Sequence, residues 1–145
     1  MGANNRNFVM SLKAIEWMET KSILRIIDDR IFPKEIVFID LSDEIEIAQA
    51  IKDKVICQPQ LISVAVAYAM AVTAKRHACE DKYTFMDKLY EVACLLRQKR
   101  PTEVNIDATL KRIMGLAFIS TTPKDMEYFS MQEAKMIESE NDLDI

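Results

Sequence analysis

Glycine is almost missing: the 145-residue chain carries only Gly2 and Gly115, with 4 prolines. Glycine supplies the positive-φ positions of tight turns and the open backbone that cradles phosphates, so neither a Gly-rich nucleotide loop nor a many-turned all-β fold is available to this chain. Histidine is rarer still, with His77 alone, and the 3 cysteines, Cys57, Cys79 and Cys94, show no CxxC spacing. No metal-ligand set and no bound cofactor is implied, and the odd cysteine count reads as reduced thiols in a cytoplasmic protein. Positive charge is also short, 19 Lys+Arg against 23 Asp+Glu for a net charge of -4. Without a basic face to release counterions, nucleic acid is not an expected partner. The longest uncharged run, Val55 to Ala74, is broken by Gln58, Pro59, Gln60, Ser63 and Thr73, too short an apolar stretch to span a bilayer, so no membrane partner is expected. Met1-Gly2-Ala3-Asn4-Asn5-Arg6 has neither the hydroxyl residue of a myristoylation site nor the apolar core of a signal peptide, and residues 1–11 read as a flexible extension.

What is present is a core. Hydrophobic residues make up 50% of the chain and charged ones 29%, which excludes disorder and fits one globular domain. Three short stretches alternate or are β-branched and aromatic: Leu12 to Trp17, Ser22 to Ile27, and Ile36 to Ile39. Between the last two, Pro33 forbids a helical residue before it and marks a connection. The period then changes. Ser42 or Asp43 caps a helix, with Glu46 three residues after Asp43 and Ile47, Ala48, Ile51 and Val55 on one face. Pro59 suits the first turn of a second helix, apolar on every face from Leu61 to Val72 and therefore central, with Lys75, Arg76 and His77 at its C-terminal end. Thr84 caps a third helix striped by Phe85, Leu89, Val92, Ala93 and Leu96, which Pro101 stops. A fourth spans Asn105 to Phe118, and Thr122-Pro123 opens a fifth. The acidic residues 138–145 are expected to fray. The predicted fold is α+β and mainly helical, a small N-terminal antiparallel sheet of about three strands followed by a bundle of about five helices.

A series of segments points to one family. Leu12-Lys13-Ala14-Ile15-Glu16-Trp17, Asp28-Asp29-Arg30-Ile31-Phe32-Pro33, Ala50-Ile51-Lys52, Val64-Ala65-Val66-Ala67-Tyr68 and Arg100-Pro101-Thr102-Glu103-Val104-Asn105 follow in order. Each alone is a common amphipathic strand or helix stop. Together they resemble the N-terminal domain of S-methyl-5-thioribose-1-phosphate isomerase, an aldose-ketose isomerase of methionine salvage similar to ribose-1,5-bisphosphate isomerase and to regulatory subunits of the initiation factor 2B guanine-nucleotide exchange factor. The resemblance implies an isomerase-like domain over 12–137, a domain junction at 138–145, and no counterpart of the family's Rossmann-like catalytic domain.

The resemblance also implies a phosphate site and where this chain departs from it. The family's Arg-Gly-Ala-Pro-Ala-Ile-Gly, which receives the substrate phosphate at a helix N-terminus, is replaced by Cys57-Gln58-Pro59-Gln60-Leu61-Ile62-Ser63. A charged partner and two glycines are lost and Pro59 removes an N–H donor, so affinity is expected to fall at least about tenfold, given about 1.5–3 kcal/mol per charge-assisted bond. Arg100 and Asn105 match the family and are the candidate, vestigial phosphate-binding residues, although a cation at a helix C-terminus such as Arg100 is stabilising by position alone. Tyr68 reads as core, Cys57 as an inert thiol without a base, and His77 as a cation at a helix end. No catalytic residue is assigned. The expectation is a truncated homologue, non-catalytic alone, that acts as an interaction or regulatory domain with a full-length isomerase relative or with itself and holds sugar phosphate weakly if at all. A split isomerase half, active with a separate catalytic domain, and a fragment without selected function are the alternatives.

Overall fold

The computed structural model describes residues 12–145, and the extension expected over residues 1–11 lies outside them. Three antiparallel strands, β1 (Ile15–Met18), β2 (Ile23–Ile27) and β3 (Phe38–Leu41), form a sheet in the order β1-β2-β3. Ile15 pairs with Ile26, and Leu24 lies between Trp17 and Leu41. The period-2 alternation turns Ile15, Leu24, Ile26 and Leu41 into the core. β1 starts three residues later than the pattern suggested: Lys13 bridges to Asp144 and the Ala14 N–H turns to Leu143 C=O, although the Ala14 C=O still accepts the Ile27 N–H at 2.9 Å.

Five helices follow among the described residues. α1 (Glu44–Lys52) is capped by Asp43, whose carboxylate accepts from the Glu46 N–H at 2.8 Å, while the Glu46 carboxylate accepts from the Ser42 N–H at 2.7 Å. α2 (Pro59–His77) begins at its proline and is the axis of the domain. Its buried residues include Val64, Ala65, Val66, Ala67 and Ala71, small enough on several faces for neighbouring helices to approach closely, and the larger Tyr68. α3 runs from Lys82 to Lys99, and its cap is Asp81 rather than Thr84: the Thr84 N–H and hydroxyl both donate to the Asp81 carboxylate, at 3.0 and 2.8 Å. An acceptor one turn earlier satisfies the free N–H groups, and Thr84 becomes the third residue of the helix. α4 (Val104–Met114) tightens at Gly115 into a 3₁₀ turn, Gly115–Phe118, where a single helix was expected. α5 (Pro123–Glu140) starts with a complete capping box between Thr122 and Asp125.

The segment 138–145 does not fray. Ala14 N–H donates to Leu143 C=O at 2.7 Å, Ile145 N–H to Leu12 C=O at 3.3 Å, and Lys13 pairs with Asp144 at 2.6 Å, so the C-terminus lies beside the start of β1 with Leu143 buried. Its acidity concealed one apolar side chain and a set of backbone donors and acceptors that the sheet edge needed. Among the described residues, no helix is long and apolar enough to cross a membrane.

Candidate functional site

The N-terminal end of α2 is assembled from four separate parts of the chain. Asp28 is buried and accepts from the Arg30 guanidinium at 3.0 and 2.8 Å and from the Arg30 N–H at 3.0 Å. These bonds hold its carboxyl below the usual range, the Arg30 side chain being the principal cause. They also fold the turn after β2 over the loop that precedes α2. Asp29 N–H donates to Val55 C=O at 3.0 Å, and the Asp29 carboxylate accepts the Cys57 N–H at 2.9 Å. A negatively charged side chain of the protein therefore sits at the positive end of α2, where the helix dipole favours an anion. Pro59, at the first helical position, has no N–H to offer, and the Gln58 side chain makes no cap bond.

The two predicted site residues meet here. Asn105, in the first turn of α4, donates its side-chain amide to Pro59 C=O at 3.0 Å and to Ser63 Oγ at 3.1 Å. Arg100, at the C-terminal cap of α3, points Nη1 toward Ile56 C=O at 3.4 Å. Among the described residues no carboxylate lies within ion-pair distance of Arg100, whereas its neighbour Arg97 is paired with Asp107 at 3.0 Å. Both arginines line an open depression of about 340 Å³ together with Glu103 and Val104. Asn105 acts as a staple between α4 and α2, and Arg100 is the cation with spare donors. The sequence pattern does not single out Asp29: it lies within the Asp28–Pro33 segment, but its partner is 28 residues away, and no local pattern links a turn aspartate to a distant helix start.

The remaining singled-out residues are structural. Tyr68 is wholly buried, stacks on Trp17 with ring centroids 4.7 Å apart, and donates its hydroxyl to the Glu138 carboxylate; burial holds that hydroxyl protonated far above its ordinary range. Cys57 is half-buried, with Sγ directed at Lys54 C=O. His77 closes α2 with Nδ1 2.9 Å from Glu80. Among the described residues, no three His, Cys, Asp or Glu side chains gather as metal ligands would.

No protein-family profile matches the chain. It is 29% identical over 126 residues to a methylthioribose-1-phosphate isomerase of Crocosphaera subtropica and 33% identical over 126 residues to that of Magnetococcus marinus, covering 86% of this chain and 36% of each relative. Among solved structures it superposes with a TM-score of 0.83 on 5-methylthioribose 1-phosphate isomerase from Pyrococcus horikoshii, at 26% identity over 93% of this chain and 38% of that one. A TM-score of 0.79 relates it to the delta subunit of translation initiation factor eIF-2B from A. fulgidus, at 25% identity over 90% of this chain and 37% of that one. The chain thus spans a little over one third of the length of the proteins it matches.

Proposed function

From the premise that the chain is homologous to the N-terminal domain of methylthioribose-1-phosphate isomerases, we propose that this domain is non-catalytic on its own and works in the cytosol by binding, with a full-length isomerase relative or a second copy as partner. One observation carries the reading. The end of α2 where the family resemblance puts the substrate phosphate is occupied by the Asp29 carboxylate, which takes the Cys57 N–H at 2.9 Å and repels a second anion. Pro59 removes a further donor and Asn105 is engaged with Pro59 and Ser63. A binding role is supported by the apolar side chains the domain leaves in solvent, Phe118 at 94% and Val104 at 75% exposure among them.

A second reading, the substrate-holding half of a split isomerase, draws on Arg100, a cation beside the same helix end that has no carboxylate partner among the described residues. One experiment separates them: methylthioribose 1-phosphate is offered to the purified chain alone and to the chain mixed with a full-length relative or a separate catalytic half, with mass followed by light scattering. The binding reading expects no turnover alone, and a complex that changes the relative's rate. Turnover by the chain alone, or turnover gained by a catalytic half in its presence, contradicts it and supports the second reading.

A further inference from the structure

The C-terminal end of α2, 19 residues and about 28 Å from the end just described, opens into a cleft of about 410 Å³ between the β1–β2 hairpin and α5. We infer that this cleft binds a small anion carrying a planar ring, of the chemical class of a nucleoside monophosphate.

Its volume falls in the range of small-molecule sites. Three lysines reach it, Lys75 from α2 and Lys124 and Lys135 from α5, against two carboxylates, Glu19 and Glu127. The carboxylates do not neutralise them evenly. Glu19 is engaged by Lys135 at 3.0 Å and by the Trp17 indole N–H, and these two bonds hold its carboxyl below the usual range, so Lys135 and Glu19 form a closed pair in the wall. Lys124 lies 4.0 Å from Glu127, the longest ion pair among the described residues. Lys75 has no carboxylate within ion-pair distance among the described residues and donates instead to the Ser22 hydroxyl at 3.1 Å. Ser22 holds a left-handed φ of 51°, uncommon for a residue with a side chain, in the hairpin loop that carries this hydroxyl. Two ammonium groups therefore face the cleft with donors to spare.

The walls supply the other half of the recognition. Trp17 stacks on buried Tyr68, the planes 10° apart, and lines the cleft. Tyr128 from α5 is exposed on the same cleft and braced edge-on by Phe129 at 5.7 Å. Aromatic surface beside under-neutralised lysines favours a ligand that stacks at one end and is anionic at the other, since stacking tolerates any planar ring and the ammonium groups select the charge.

The chain contains a single tryptophan, Trp17, so its fluorescence reports the cleft directly. The intact chain is titrated with adenosine 5′-monophosphate, adenosine and inorganic phosphate, each followed by Trp17 fluorescence and by calorimetry. The expected result is saturable binding of the monophosphate, with adenosine and phosphate each at least about tenfold weaker, and about tenfold weakening in Lys75→Ala and in Lys124→Ala. Tyr128→Ala should weaken the monophosphate while leaving phosphate unchanged, and the unfolding midpoints should hold because all three side chains are exposed. Absence of saturable binding up to millimolar monophosphate overturns the inference, as does an affinity unchanged in the Lys75→Ala/Lys124→Ala double variant. Equal affinity for phosphate and for the monophosphate overturns the ring-binding half of it.

Discussion

The two ends of α2 are solved in opposite ways. At the N-terminal end the helix dipole calls for an anion and the protein provides one from its own turn, Asp29 on the Cys57 N–H, while Pro59 has no N–H and Asn105 donates to Pro59 C=O and Ser63 Oγ. At the C-terminal end Lys75 and Arg76 complement the opposite pole; Arg76 is paired with Glu44 and His77 Nδ1 lies 2.9 Å from Glu80, whereas among the described residues Lys75 has no carboxylate partner and faces an open cleft. The same helix thus has a carboxylate of the protein at one end and an ammonium group facing a cleft at the other.

The contrast breaks most readily at the C-terminal end. Glu44 is 2% exposed, accepts from Thr73 at 3.1 Å, and depends on Arg76 Nη1 at 2.7 and 2.9 Å from its two oxygens. Arg76→Ala leaves that carboxylate buried without a cation. A loss of about 2–3 kcal/mol in urea unfolding is expected, below the full figure for a buried pair because Arg76 itself is half exposed. At the N-terminal end the expected effect is smaller and of opposite sense. Asp29→Asn keeps an acceptor for Cys57 but removes the charge, and combined with Cys57→Arg and Gln58→Gly it returns the arginine and the first glycine of the family's loop. Calorimetry should show phosphate binding at least about tenfold tighter than in the parent chain, equivalent to one charge-assisted bond; an unchanged affinity would mean that neither the charge nor the loop is what closes the end.

The smallest effect concerns the turn that presents Asp29. Asp28 is held below its ordinary value of 3.8 chiefly by the Arg30 side chain. A depressed carboxyl contributes stability that is full above the ordinary value and is lost as the pH falls through the folded-state value. The urea midpoint should therefore drop as the solution is acidified below about pH 4, and Arg30→Ala should lower the midpoint at pH 7 and flatten that acid dependence. An Arg30→Ala variant with the parent's acid slope would remove the ion pair from the account.

The helices were legible wherever local chemistry decides their ends. Asp43, Pro59 and the Thr122-Pro123 pair mark starts with their own side chains or rings, and α2 announced its central place by being apolar on every face. Thr84 misled because Asp81, one turn earlier, is an equally good acceptor and lies where the free N–H groups are. The tail was misread because its partners, Lys13, Ala14 and Leu12, stand at the other end of the chain. The same limit applies to the site. Resemblance led to Arg100 and Asn105, and the fold brings both to the start of α2, but Asp29 on Cys57, Glu138 on Tyr68 and the cleft shared by Trp17, Lys75 and Lys124 join residues 28 to more than 100 positions apart. Period and propensity carry no information about such pairs.

The closure proposed for the N-terminal end of α2 excludes phosphate through the protein's own groups, Asp29 foremost. Backbone amide spectra of the intact chain, recorded while methylthioribose 1-phosphate is raised to millimolar concentration, test it at the atoms concerned. The account predicts that the Cys57, Gln60 and Leu61 amides do not shift in a saturable way. A saturable shift of those amides together with the Arg100 side-chain N–H would contradict it and return that helix end to the role it has in the resemblance.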